Sequence, residues 1–146
     1  MQRKYNKYIT NSADRTREIG EDFAKNIRSG DFIALFGELG SGKTTFVQGL
    51  ASGLGIKKRI ISPTFIILRT YKLSDFNFYH VDLYRGNFDA ESLAELGITE
   101  IIEEKKDIVT VEWSERMKDF LPSNRWEVKF ENIGEDKRRI TISKLT

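Results

Sequence analysis

The 146-residue chain contains no cysteine, which excludes disulfide bonds, thiolate catalysis and cysteine-ligated zinc. Its only two prolines, Pro63 and Pro122, each fall at a plausible element boundary. No Pro/Gly/Ser-rich linker, repeat or low-complexity tract divides it, so residues 1–146 read as one domain. No apolar run approaches the length that spans a bilayer, and membrane insertion is not expected. The first residues lack the apolar stretch of a secretory signal and read as mature sequence, so a cytoplasmic protein is the expectation. Neither sign of charge dominates: 24 lysines and arginines face 22 acids, a net of +2. That balance argues against a broad electrostatic surface for nucleic acid. Two basic runs, Lys57-Lys58-Arg59 and Lys137-Arg138-Arg139, read as solvated faces, with RNA contact left open.

What is present alternates between the periods of strand and helix. Residues 4–9 form a short strand in this reading. Ser12 caps a helix that carries Ile19, Phe23 and Ile27 at spacings of four, with Gly30 just past its end. Phe32 to Phe36 is a continuous apolar run, the pattern of a strand buried on both faces. A helix from about Lys43 points Phe46, Val47, Leu50, Ala51 and Leu54 inward, and Gly55 terminates it. Two aromatic-rich segments, TFIILRTYKL and FNFYHVDLY, predict a hairpin turning at Ser74 and Asp75. Short helices near 89–96 and 99–105 precede a strand at 108–111 that ends in Glu112 and Trp113. A further helix is predicted near 114–120, and WEVKFENI with RRITIS closes the chain as a hairpin. The fold class is α/β: a mixed, largely parallel core sheet flanked by helices, with antiparallel hairpin additions.

The segment GELGSGKTT, residues 37–45, satisfies G-x-x-x-x-G-K-[ST] between strand and helix, which identifies a phosphate-binding P-loop. A polyphosphate must be approached closely by backbone N–H groups, and glycines at 37, 40 and 42 remove the side chains that would block it. The helix N-terminus adds partial positive charge. Residues Gly37, Glu38, Leu39, Gly40, Ser41, Gly42, Lys43, Thr44 and Thr45 therefore form the candidate nucleotide loop. Lys43 supplies a mobile charge at the β- and γ-phosphates, and the Thr44 hydroxyl is placed for Mg²⁺. A glycine turn that merely joined strand to helix would need neither.

Such a loop requires an acid at a neighbouring strand end. Glu112, after IVTV, is the favoured metal-side carboxylate, against a solvated strand-end charge. Asp82 lies among aromatic and apolar neighbours, where it orients the attacking water, sits behind the metal, or forms a structural ion pair with Arg85. His80, the only histidine, shares a strand face with Asp82 and reads as structural rather than catalytic. Thr64, in the turn Ser62-Pro63-Thr64, either contacts nucleotide or metal or simply starts a strand.

Taken together, GELGSGKTTFVQGL, ISPTF, FYHVDLYR, ELGI at 95–98 and VEW at 111–113 resemble the TsaE (YjeE) family over almost the whole chain. That family is the P-loop ATPase component of the bacterial machinery for threonylcarbamoyladenosine (t6A) in tRNA. The resemblance implies ATP and Mg²⁺ as cofactors, with Thr44 and Glu112 as metal ligands. It implies Asp82 as a hydrolysis residue and Ser62-Pro63-Thr64 as a switch-like loop. It also implies an adenine side closed by Asn11 to Ala13 and by a C-terminal arginine, best matched by Arg139. Where the family commonly has a proline after the tryptophan, this chain has Ser114, which bears on local loop geometry only. The implied activity is a weak ATPase that works with TsaD and TsaB proteins and couples its cycle to their turnover; direct tRNA contact is left open.

The strongest rival is a small P-loop kinase acting on a small-molecule acceptor, but no arginine-rich insertion of lid size is visible. A GTPase is disfavoured because N-K-x-D is absent: Asn6-Lys7-Tyr8-Ile9 lacks the aspartate. A module that binds nucleotide only to control docking also carries such a loop, since the loop guarantees binding and not turnover.

Overall fold

The computed structural model describes residues 3–38, 40–60, 68–84 and 88–146, with the side chains of residues 3–5 and 118 outside that description. Leu39, Thr64 with the rest of its turn, and Arg85 therefore lie outside the described residues. The apolar run predicted as a doubly buried strand is β2 (Phe32–Phe36). Ile33 and Leu35 enter one core and Phe32 and Ala34 another, on opposite faces of one sheet, as the period of two requires.

Helices α1 (Ala13–Ala24) and α2 (Lys43–Gly53) cover the first face. Ser12 caps α1 by accepting the Arg15 N–H at 3.1 Å. The helix stops at Ala24, earlier than its apolar period suggests, because successive tight turns take over: Asn26 and Ile27 N–H bond to Phe23 and Ala24 carbonyls. Ile27 remains in the same core. α2 ends as expected, with Gly55 at φ +92° and the Ile56 N–H returning 3.0 Å to Ala51 O.

Among the described residues, seven strands form one sheet. They are β1 (Arg3–Thr10), β2, β3 (Leu68–Lys72), β4 (Asn77–Asp82), β5 (Ile108–Glu112), β6 (Arg125–Asn132) and β7 (Arg138–Leu145). The order is β1-β7-β6-β2-β5-β4-β3. β6, β2, β5 and β4 run parallel, while β3 at one edge and β7 with β1 at the other are antiparallel. The expected mixed sheet with antiparallel additions is present. Helices α3 (Ala90–Glu95) and α4 (Ile98–Glu104) supply Leu93 and Ile98 to the second core. The helix predicted near 114–120 is instead two 3-10 turns, Ser114–Arg116 and Lys118–Phe120. Trp113 at φ 60° sets the chain off the strand axis, and the Ser114 hydroxyl donates to Val111 O at 2.7 Å, holding the turn tight.

The two helices cross almost in backbone contact. A Cβ on Gly49 would lie 2.0 Å from Arg17 O, and one on Gly20 would lie 2.3 Å from Phe46 O. This closeness sets α2, and with it the loop at its start, against the first turns of α1. Gly49→Ala must push the helices apart, and overpacking of this kind costs about 3 kcal/mol, or roughly 6–12 °C in Tm at this chain length. Urea and thermal melts check it; unchanged stability would refute the close crossing.

Candidate functional site

The parallel strands β2, β5 and β4 end side by side, and their carboxyl ends carry Gly37, Glu112 and Asp82. Ligands of open α/β sheets bind at this edge. The antiparallel edge contributes from the same side, through the end of β1, the start of α1 and the start of β7. These walls enclose a cleft of about 670 Å³.

The loop's floor depends on glycine at two places. A Cβ on Gly37 would sit 2.7 Å from Ser41 Oγ and 2.9 Å from Phe130 O. Gly42, which caps α2, has φ +104°, a conformation L side chains rarely adopt. Lys43 follows and is buried. Its ammonium bonds the Gly37 carbonyl, lies 3.4 Å from Glu38 O, and sits 3.6 Å from the centre of the Trp113 ring. Burial pushes the Lys43 pKa down from the ordinary lysine value, and the carboxylates of Glu112, Glu115 and Asp82 partly restore it. Glu115 also accepts the Gly37 N–H at 3.1 Å.

Thr44, one residue on, donates to both oxygens of Glu112, at 3.0 and 3.1 Å. Glu112 is 2% exposed, and its Oε2 also meets His80 Nε2 at 2.5 Å. Asp82 lies on the same sheet face and lines the cleft, with one carboxylate oxygen accepting the Tyr84 N–H at 2.9 Å.

The predicted residues Ala13, Gly40, Ser41, Gly42, Lys43, Thr44, Thr45, Asp82 and Glu112 all line this cleft. Gly37 and Glu38 lie behind it and reach Lys43 through their carbonyls. Arg139 is not in the lining. It points to the opposite sheet face, 3.4 Å from Glu131, whereas Arg138 lines the cleft and reaches Gly40 O at 3.3 Å. One residue of register decides this: Arg138 alternates with Ile140 and Ile142, which enter the core under α1. That alternation was readable in RRITIS. Trp113 and Tyr84, whose rings approach to 5.1 Å beside Lys43, and Glu115 were not singled out as site residues. Trp113 and Tyr84 stand in the VEW and FYHVDLYR segments without a role assigned to them. Tyr84 arrives just past the end of β4, while Trp113 and Glu115 reach the loop through the turn after β5.

A glycine loop from a parallel strand into a helix, with its lysine and threonine set against a carboxylate on the next strand, defines a P-loop nucleotide-binding protein. A family model described as threonylcarbamoyl adenosine biosynthesis protein TsaE matches residues 10–140. The tRNA threonylcarbamoyladenosine biosynthesis protein TsaE of Bacillus subtilis is 35% identical over 137 residues, 94% of this chain and 84% of that one. Its namesake from Rickettsia felis is 37% identical over 135 residues, 92% of this chain and 77% of that one. A crystal structure of YdiB from Bacillus subtilis superposes with a TM-score of 0.79 at 32% identity, covering all of this chain and 89% of that one. The chain belongs to the TsaE family. Among the described residues, no helix is long and apolar enough to cross a membrane.

Because the Lys43 pKa is lowered from 10.5, its ammonium is lost at lower pH than on a surface lysine. Nucleotide affinity is therefore expected to fall as pH rises toward the ordinary lysine range, with proton uptake on binding, since phosphates favour the charged form. Calorimetry in buffers of different ionisation enthalpy checks this. Lys43→Arg should flatten the profile because a guanidinium does not titrate there.

Proposed function

We propose that the chain is the ATP-binding and ATP-hydrolysing component of the tRNA t6A modification machinery, and that its ATPase cycle is coupled to turnover of a TsaD-TsaB transferase complex. The observation that carries the ATPase reading is the meeting of Thr44 and Glu112 beside the lysine of the loop. The t6A role rests on family membership and on the names of the relatives.

The donor set fits Mg²⁺. Both groups are hard oxygen donors, and no cluster of three His, Cys, Asp or Glu side chains is found among the described residues. That combination suits an ion that draws the rest of its coordination from phosphate and water. Thr44 and Glu112 would hold it. Bound there, Mg²⁺ would supply positive charge to offset that of the triphosphate.

The chain's own residues do the remainder. The amides at the start of α2 receive phosphate oxygens. Lys43 exchanges its carbonyl partners for the β- and γ-phosphates, a stronger pairing because both sides are then charged. Asp82, exposed to the cleft and steadied by the Tyr84 amide, orients the attacking water and takes up its proton. The start of α1 and Arg138 close the base side. Arg138 takes the role that sequence reading gave to Arg139, because only Arg138 lines the cleft. Thr64 is retained as the residue that senses the γ-phosphate, on the resemblance alone.

Phosphate release measured with and without TsaD and TsaB tests the coupling. It should rise with those partners and vanish in Lys43→Ala. Asp82→Asn should bind ATP within about threefold of wild type yet lose about 10²–10⁴ in turnover, the range of a general base. Transfer of phosphate from ATP to a metabolite, indifferent to the partners, would sink the proposal in favour of a kinase. Separately, Arg138→Ala should weaken ATP binding about tenfold, the worth of a charged hydrogen bond, while Arg139→Ala stays within about twofold, because rim ion pairs contribute little. The reverse order would refute the assignment.

A further inference from the structure

The one histidine of the chain occupies a place that packing does not explain. His80 has no exposed surface, and its Nδ1 and the hydroxyl of Thr110, its partner across β4 and β5, find no hydrogen-bonding partner among the described residues. An apolar residue would bury fewer such atoms. What the imidazole does have is Glu112: its Nε2 lies 2.5 Å from Oε2. The two are diagonal neighbours on adjacent strands, since Asp82 is the residue directly opposite Glu112. Facing a carboxylate, Nε2 is the donor.

Thr44 does not orient Glu112 by itself. Its single hydroxyl hydrogen lies between the two carboxylate oxygens, which are 3.0 and 3.1 Å from Oγ1, so rotation about the terminal bond of Glu112 changes little at Thr44. His80 touches Oε2 alone and breaks that symmetry. We propose that His80 is a positioning residue for the metal-side carboxylate, fixing Oε2 inward so that Oε1 meets Mg²⁺ already oriented. The inference rests on the assignment of Thr44 and Glu112 as the groups that hold Mg²⁺.

The test is calorimetric titration of Mg²⁺ into the full chain with ATP, beside ATP titrations without metal. His80→Phe removes the donor and keeps the ring. It should raise the Mg²⁺ midpoint about 10- to 100-fold, the usual cost of losing a group that orients a metal ligand, and leave metal-free ATP binding within about twofold. His80→Gln, whose carboxamide N–H donates from near the Nε2 position, should recover most of the loss. In a Glu112→Ala background His80→Phe should make no further difference, because the two act as one unit. If His80→Phe does not fold, His80→Met carries the same comparison, its unbranched side chain adapting to the space.

An unchanged Mg²⁺ midpoint in the donor-less variant overturns the proposal. So does an equal loss in the Phe and Gln variants, or a loss that persists undiminished without Glu112. A Mg²⁺ midpoint unchanged by Glu112→Ala alone would instead overturn the metal assignment itself, and this proposal with it.

Discussion

A carboxylate held at 2% exposure is expensive, and the arrangement around Glu112 offsets that expense. Desolvating a carboxylate costs several kcal/mol after relaxation unless hydrogen bonds replace water. The two partners here come from different elements, Thr44 from the first turn of α2 and His80 from β4. Both contacts require β4, β5 and β2 to be neighbours in parallel, so that three carboxyl ends meet at one edge. They also require α2 to begin over that edge, which the near-contact crossing of α1 and α2 secures through Gly20 and Gly49. The sheet order, the glycine faces of the helices and the polar pair at the strand end are thus one constraint seen at three scales.

Lys43 is the complementary buried charge. Its ammonium faces two loop carbonyls and an indole ring, with Glu112, Glu115 and Asp82 near enough to favour its charged form. Three carboxylates outnumber the one ammonium, so on the proposed reading a metal-complexed triphosphate is favoured over the free polyanion, whose negative charge would lie against them.

Much of this was legible because strong local signals agreed. The strand-loop-helix of residues 32–54 carries burial period, glycine positions and cap in one stretch, and the structure follows it. Glu112 and Asp82 were readable as strand ends. Arg139 was preferred to Arg138 by resemblance, although the two differ only in which sheet face they occupy, and a slip of one residue inverts that face. The 114–120 segment has helical composition, yet Ser114 competes for Val111 O with its own hydroxyl, and the left-handed Trp113 precedes it. His80 was set aside because a lone histidine among aromatics carries no pattern; its meaning lies in a diagonal cross-strand contact that register alone creates.

The turn after β5 ties the strand end to the loop at three points. Glu112 bonds Thr44, the Trp113 ring lies against Lys43, and Glu115 accepts the amide of Gly37. These residues span four positions of the chain, and the loop residues they grip run from Gly37 to Thr44. A non-glycine residue in the left-handed region costs about 1–3 kcal/mol, and here that conformation turns the Trp113 ring onto Lys43 while Glu112 stays in the sheet. The Ser114 hydroxyl and the buried Met117 side chain anchor the turn to the second core. The turn therefore fixes the carboxylate, the lysine's indole face and the first loop amide relative to one another.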